Sequence, residues 1–294
     1  MNEKIFLTSM FLLSLLSAIA LSFFVLQNFP NSGDEWCYLL QAEIFSQGKL
    51  SISSPPNREF FDVGWMVNNG KFYTQHPPGW PLLLAVGVFL RAPWLINPLI
   101  GAFTLLVLYY LGKRMYNARV ATFALLFTFF SPFFLFNSAS YWSHSVSLLF
   151  LSLSLLFFIK GIEEDSLRSP AIGGLLGSIS FLIRPFDQAA ILLACGAFCL
   201  SSSIRERENL RWGGIFFFAH LVGVLMLMGY NFLQNGHPLV MGYHLAYGAS
   251  NIEMTLPGLQ YIDDYLRDLL IWTVPGMPLI AGGYIVHRLS TVRY

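Results

Sequence analysis

IFLTSMFLLSLLSAIALSFFVLQNFPNSGDEW, residues 5–36, sets the class of this molecule and points to its chemistry. Residues 5–29 form an apolar run without a single charge. About 20 such residues cover the hydrocarbon core of a bilayer, whereas the apolar part of a secretory signal is only ~7–15 residues long. The run is therefore expected to stay in place as a membrane anchor, although Lys4 and the small residues Ser17-Ala18-Ile19-Ala20 imitate a cleavable leader. Directly beyond it, Asn31-Ser32-Gly33-Asp34-Glu35-Trp36 sets two adjacent carboxylates at the membrane surface. A carboxylate held there can take a proton from a hydroxyl.

The rest of the chain fits this start. Of 294 residues 55% are hydrophobic and 11% charged, and the mean hydropathy is +0.58, far too apolar for a soluble domain. Further apolar runs at 95–111, 120–136, 143–159, 171–183, 188–200, 212–232 and 269–287 bring the expected total to about eight spans, in an all-α polytopic helix bundle. The runs 171–183 and 188–200 are short and joined by Arg184-Pro185, which suits either two tight crossings or one irregular hairpin.

The run 80–90 is too short to cross and is expected to lie along the interface. With that choice Lys113, Arg114, Arg119, Lys160, Arg168, Arg205, Arg207, Arg211, Arg288 and Arg293 all fall on the cytoplasmic side, as the positive-inside tendency requires. If 80–90 crossed, every one of them would face outward. Two long loops then face outside, 30–93 and 235–268, both rich in aromatic residues, and the first is expected to hold juxtamembrane helices.

A net charge of +1 leaves no basic stripe for nucleic acid. Cys195 and Cys199 read as small core side chains, Cys37 stands alone, and neither a zinc-type Cys/His spacing nor a phosphate-binding glycine loop occurs.

Within the first outer loop the order is Asp34-Glu35, Tyr38, Ala42, Gln47-Gly48-Lys49-Leu50 and then His76-Pro77-Pro78-Gly79-Trp80-Pro81. Tyr141-Trp142-Ser143-His144-Ser145 later opens a helix and Leu182-Ile183-Arg184-Pro185 closes one. This order resembles the GT-C class of membrane glycosyltransferases, in particular the family 39 group that holds the protein mannosyltransferases, the lipid A aminoarabinose transferase and Rgt-like enzymes. The likeness runs over about residues 5–236 and treats 1–294 as a single GT-C-like transmembrane domain.

It implies a glycosyltransferase that moves a sugar from a polyprenyl-phosphate donor to a hydroxyl of a lipid, glycan or protein at the extracytoplasmic face. The implied location is the bacterial inner (plasma) membrane. Family members usually continue through more helices and a soluble outer domain, so the chain is expected to be a truncated product, a fragment or a minimal member.

Such a transfer needs a base for the acceptor hydroxyl and a cation for the departing phosphate. Asp34 is the expected base; its structural alternative is a turn or helix-cap residue. Arg184 and His76 are the expected donor-phosphate ligands. Arg184 could otherwise pair with Asp187 or snorkel to headgroups, and His76 could merely mark the entry to an interfacial helix. Glu35, Tyr38 and His144 are acceptor-site or accessory candidates, with His144 leaning to a structural role satisfied by Ser143, Ser145 and Ser147.

Neighbouring carboxylates on a helix diverge by ~100°, so Asp34 and Glu35 should not share a proton. Glu253, Asp263, Asp264 and Asp268, with Tyr243, His244 and Tyr247, could shape an acceptor site in the second loop. No metal ligand set is assigned, and a divalent cation held by Glu35 stays an open alternative. The competing readings are a transporter or flippase for a lipid or small solute, and a non-catalytic truncated homologue. A transporter should carry ionisable groups in mid-membrane, whereas here they gather in the outer loops.

Overall fold

The computed structural model describes residues 2–203 and 209–246. Helix α1 (Glu3–Ala20) is the anchor; the Asn2 side chain caps it by accepting from the Lys4 amide at 3.0 Å. A π-helical turn, Leu21–Val25, ends it, and the chain reverses through Gln27 and Asn28, both left-handed at φ of 56° and 53°. The Ser22 hydroxyl donates to the Asn28 side chain at 3.0 Å and steadies that reversal.

The first outer loop is not all helix. Helix α2 (Gly33–Ser46) leads into a small antiparallel sheet of β1 (Ile52–Ser53), β2 (Met66–Asn68) and β3 (Lys71–Thr74), in the order β1-β3-β2. The sheet adds a strand element to the all-α expectation. Its hairpin turns at Asn69-Gly70, with Gly70 at φ of 101°, a conformation that glycine adopts without steric penalty. Helix α3 (Gly79–Phe89) follows. Its 11 residues rise about 16 Å, too little to cross a bilayer, in keeping with the expectation for that run.

The bundle proper comprises α4 (Ile96–Met115), α5 (Ala118–Phe129), α6 (Pro132–Ala139), α7 (His144–Glu163), α8 (Arg168–Ile183), α9 (Pro185–Ser203) and α10 (Asn209–Asn235). α8 lies between α7 and α10, α4 packs on α7, and α1 packs on α4. The close approach of α8 to α10 depends on Gly174, where a side chain would run into the Phe216 carbonyl. Cys195 and Cys199 are buried beside Phe158 and Phe216, as small core residues should be.

Among the described residues, four stretches are long and apolar enough to cross a membrane: Glu3–Val25, Pro93–Met115, His144–Glu163 and Leu210–Asn235. α5 and α6 make a fifth if a pair bent by 63° counts as one span. This is fewer than the sequence suggests. The run 120–136 is broken because Ser131 caps and Pro132 opens a new helix. α8, with 16 residues, rises only about 24 Å against a ~30 Å core, and α9 is similarly short in its apolar part. The expected span 269–287, Arg205, Arg207, Arg288 and Arg293 lie outside the described residues.

Ion pairs gather at one end of the bundle. Lys113 meets Glu3 at 2.8 Å, and Arg114 meets Glu163 at 3.1 Å and Glu164 at 3.2 Å, which joins the start of α1 to the ends of α4 and α7. The opposite end joins the end of α1 to the start of α7: the Tyr141 hydroxyl donates to the Asn28 carbonyl at 3.1 Å.

Glu35 is the centre of that second junction. It is 1% exposed, and one carboxylate oxygen accepts from the Tyr141 amide at 2.9 Å. The other oxygen accepts from the Asn31 amide at 3.3 Å and the Ser32 hydroxyl at 3.1 Å. Glu35→Ala should leave these buried donors unmatched and cost about 2–4 kcal/mol. The expected outcome is a lower midpoint of thermal unfolding in detergent, and an unchanged midpoint would show that the clamp carries no stability.

Candidate active site

Asp34 lies in the first turn of α2, where the positive end of the helix favours a carboxylate. It is not the helix cap, since Ser32 takes that role by accepting from the Glu35 amide at 3.3 Å. With Glu35 turned inward, Asp34 points elsewhere. Its side chain is 25% exposed and one oxygen stands 3.1 Å from Nε2 of His76. That oxygen is out of line with the ring N–H direction, and Nε2 has no other partner, so the contact is a close approach rather than an aligned hydrogen bond.

His76 reaches this position because both sides of it are fixed. β3 ends at Thr74, and two prolines then stiffen the path to α3, whose Trp80 indole donates to the Tyr141 carbonyl at 2.7 Å. Gly79 allows α3 to start directly on the end of α8: a Cβ there would stand 2.6 Å from the Leu182 carbonyl carbon. The His76 ring is 6% exposed. Its Nδ1 lies 3.0 Å from the Tyr243 hydroxyl, and its face packs on Tyr38 with ring centres 4.6 Å apart.

Tyr38, one helical turn beyond Asp34, shares a hydrogen bond of 3.3 Å with the Ser143 hydroxyl. Burial, opposed by that bond and reinforced by the Asp34 charge, pushes its phenol up to about 12. The Tyr243 phenol is also raised, first by burial and then by Tyr38 and Asp34.

Tyr243 arrives on the chain after α10. The end of α10 is pinned to the first loop by Lys71, which donates to the Leu233 and Gln234 carbonyls at 3.0 and 3.1 Å, and by Tyr73, which donates to Asn235 at 2.5 Å. Gly242 then passes so close to Gln75 that a Cβ would stand 2.6 Å from its Cα.

Arg184 stands at the junction of α8 and α9. Its Nε donates to Asp187 at 2.5 Å, the pairing expected as the alternative to phosphate contact, and Asp187 also accepts from Ser147 at 3.4 Å. The guanidinium NH1 is 3.5 Å from Nε2 of His144, and the side chain is 34% exposed. Ser143, bonded to Tyr38, directly precedes His144, which NH1 of Arg184 approaches, so the two groups adjoin.

His144 rests against Trp142 and Phe133, with ring centres 5.4 and 5.9 Å away. The three serines expected to satisfy it are engaged elsewhere. Ser143 is with Tyr38, Ser145 with Ser138 and Ser147 with Asp187, while Nδ1 of His144 has no partner. Beside it an apolar groove of about 410 Å³ runs between the α5–α6 bend and α7, lined by Phe127, Phe134, Leu148 and Leu151 and ending at His144 and Asp187.

The candidate residues therefore fall into two adjoining groups. Asp34, Tyr38, His76 and Tyr243 form one; Arg184, Asp187 and His144 form the other. No described cavity is lined by Asp34, His76 and Arg184 together. Glu35 is in neither group, its oxygens being committed to backbone and cap. No cluster of three or more His, Cys, Asp or Glu that could hold a metal ion occurs among the described residues. His244 lies on the surface near Tyr243, with Nδ1 3.2 Å from the Met241 amide. Tyr247, Glu253, Asp263, Asp264 and Asp268 lie outside the described residues.

The fold is similar to that of the archaeal oligosaccharyltransferase AglB from Archaeoglobus fulgidus, solved in complex with an inhibitory peptide and a dolichol-phosphate. The match has a TM-score of 0.55 and 17% identity, and it covers 99% of this chain and 38% of that one. The Archaeoglobus fulgidus oligosaccharyltransferase in the apo form matches with a TM-score of 0.56 and 16% identity, over the same 99% and 38%. At these identities the likeness is one of fold, and the chain spans well under half the length of those enzymes. No curated protein matches the chain. A family model described as dolichyl-phosphate-mannose-protein mannosyltransferase matches residues 75–230, a stretch that takes in His76, His144 and Arg184 and begins after Asp34. Because that match covers more than half of the sequence, the chain belongs to the dolichyl-phosphate-mannose-protein mannosyltransferase family, within the GT-C class of membrane glycosyltransferases.

Proposed function

We propose that this integral membrane protein transfers a sugar from a polyprenyl-phosphate carrier to an acceptor hydroxyl at the extracytoplasmic face, with Asp34 as general base. The observation that carries the reading is the separation of a carboxylate and a cation within one neighbourhood. Asp34 is partly open to solvent beside His76, and Arg184 is held by Asp187 at the end of α8.

The acceptor hydroxyl gives its proton to an Asp34 oxygen as its own oxygen bonds to the anomeric carbon. The bond from that carbon to the phosphate oxygen breaks, and the polyprenyl phosphate leaves with the electron pair. Arg184, its Nε already oriented by Asp187, offers its terminal N–H groups to the phosphate charge that develops. The groove between the α5–α6 bend and α7 suits an isoprenoid chain, because it is apolar along its length and polar where it meets His144 and Asp187.

One feature of this chain and one of a relative support the wider setting. The end of α4 with Lys113 and Arg114 and the end of α7 with Lys160 lie opposite the Asp34 end of the bundle, so the positive-inside tendency would turn Asp34 outward, as at a bacterial inner membrane. The fold relative was solved with a dolichol-phosphate, a carrier of the same chemical class, and with a peptide. The acceptor here is accordingly a hydroxyl of a lipid, glycan or protein.

Asp34→Asn should reduce sugar transfer from a polyprenyl-phosphate donor in membranes by about a hundred- to ten-thousand-fold with expression and unfolding temperature unchanged. Transfer at the normal rate would remove Asp34 from the mechanism. Lipid or solute movement by the purified chain in proteoliposomes without an acceptor would favour the transporter instead.

Arg184→Ala should act on the other partner. The donor KM is expected to rise about ten- to a hundredfold, with the acceptor KM within twofold of normal, as measured by steady-state transfer at varied donor. An unchanged donor KM would assign Arg184 to packing with Asp187 alone.

A further inference from the structure

Among the described residues, His76 is a buried ring with a polar side chain close to each of its nitrogens. It touches a carboxylate through one nitrogen and a phenol through the other, at 3.1 and 3.0 Å. Its ring is 6% exposed and lies on Tyr38, so water does not compete for either nitrogen.

We infer that Tyr243 locks His76 in its Nε2–H form, and that the locked ring is a positioning residue that aims the Asp34 carboxylate rather than a ligand of the donor phosphate. The inference rests on the proposed role of Asp34 as base.

A neutral imidazole carries one N–H. If the proton were on Nδ1, an electron-rich Nε2 would lie 3.1 Å from a carboxylate oxygen, off the lone-pair axis but at a buried site with no donor between them. With the proton on Nε2 the same contact becomes a donor facing an acceptor, and Nδ1 is left to accept. Tyr243 supplies the hydroxyl for it. Burial keeps that phenol protonated, so it remains a donor.

The N–H of Nε2 is within 3.1 Å of Asp34 but not in line with it. Catalytic hydrogen bonds commonly tighten only when substrate binds. One Asp34 oxygen is then held by His76 and the other is left for the acceptor hydroxyl.

The lock also explains why the end of α10 is tied so firmly to the first loop. Tyr243 reaches His76 only because Lys71 and Tyr73 hold the last turn of α10 and Gly242 slides past Gln75. The general base is thus completed by a segment some 200 residues beyond it in sequence.

The test combines kinetics with a spectroscopic reading on the full chain in lipid nanodiscs. Tyr243→Phe should lower kcat about five- to tenfold with the donor KM within twofold of normal, the loss of one neutral hydrogen bond. His76→Ala should lower kcat further, His76→Gln should recover part of the loss by returning an N–H near the place of Nε2, and Tyr243→Phe added to His76→Ala should cost nothing more. A donor KM that rises in His76→Ala while kcat holds would make His76 a phosphate ligand and overturn the inference.

Nitrogen-15 spectra of histidine-labelled protein, with His76 identified by the resonance lost in His76→Gln, read the lock without turnover. The expected signature is a neutral ring protonated at Nε2 that becomes a tautomer mixture in Tyr243→Phe. An Nδ1–H ring or a doubly protonated one overturns the lock. If the wild-type chain transfers no sugar, the proposed function fails and this spectrum alone decides whether Tyr243 fixes the ring.

Discussion

The buried carboxylate of Glu35 is the constraint on which the rest of the site depends. An ionised group with 1% exposure is tolerated only when donors surround it, and here they come from two sides: the turn after the anchor and the first residues before α7. The clamp therefore does two things at once. It joins the end of α1 to the start of α7, and it fixes the rotation of α2 about its own axis. Adjacent helical residues diverge by about 100°, so once Glu35 faces inward Asp34 must face the His76 side. Two carboxylates of identical chemistry receive different duties from one rotational choice.

That choice also organises the two ends of the bundle. At one end, cations and anions of α1, α4 and α7 pair among themselves on the surface, contacts that are individually weak and easily screened. At the other, polar groups are buried and their partners come from distant segments: Tyr38 with Ser143, Trp80 with the Tyr141 carbonyl, Tyr73 with Asn235. The lysine at the end of α10 is part of this. Lys71 occupies two of the unpaired carbonyls that every helix leaves at its C-terminus, a position favourable to a positive charge.

Much of this was legible in the sequence, for reasons that can be traced to single residues. The anchor and the Asp34-Glu35 pair are local features, as is the shortness of the run after Pro78, and all three appear where expected. Other local signals carried more than was read from them: Ser131-Pro132 is a cap followed by a first-turn proline, which breaks the run 120–136, and Asn69-Gly70 is a hairpin turn. Among the described residues the difference in span number has another cause. Hydropathy registers that 171–183 and 188–200 are apolar, but whether such pieces reach across a bilayer is a matter of rise per residue. The partners of the serines on α7 and the reach of Tyr243 to His76 were beyond any local reading. They depend on two glycines, Gly79 and Gly242, whose only role is to let backbone approach backbone from remote parts of the chain.

The pairing of Arg184 with Asp187 looks at first like an argument against phosphate binding, since a neutralised cation attracts less. Geometry points the other way. The bond to Asp187 uses Nε and NH1 approaches His144, so of the five N–H donors of this planar group those on NH2 stay available and lose the freedom to wander. An unpaired guanidinium at a membrane surface would instead be drawn to whatever headgroup lay nearest. Asp187 in turn is held by Ser147 on α7, the helix that lines the apolar groove. The cation is thereby indexed to the groove, since the Asp187 that holds it lines the groove's polar end.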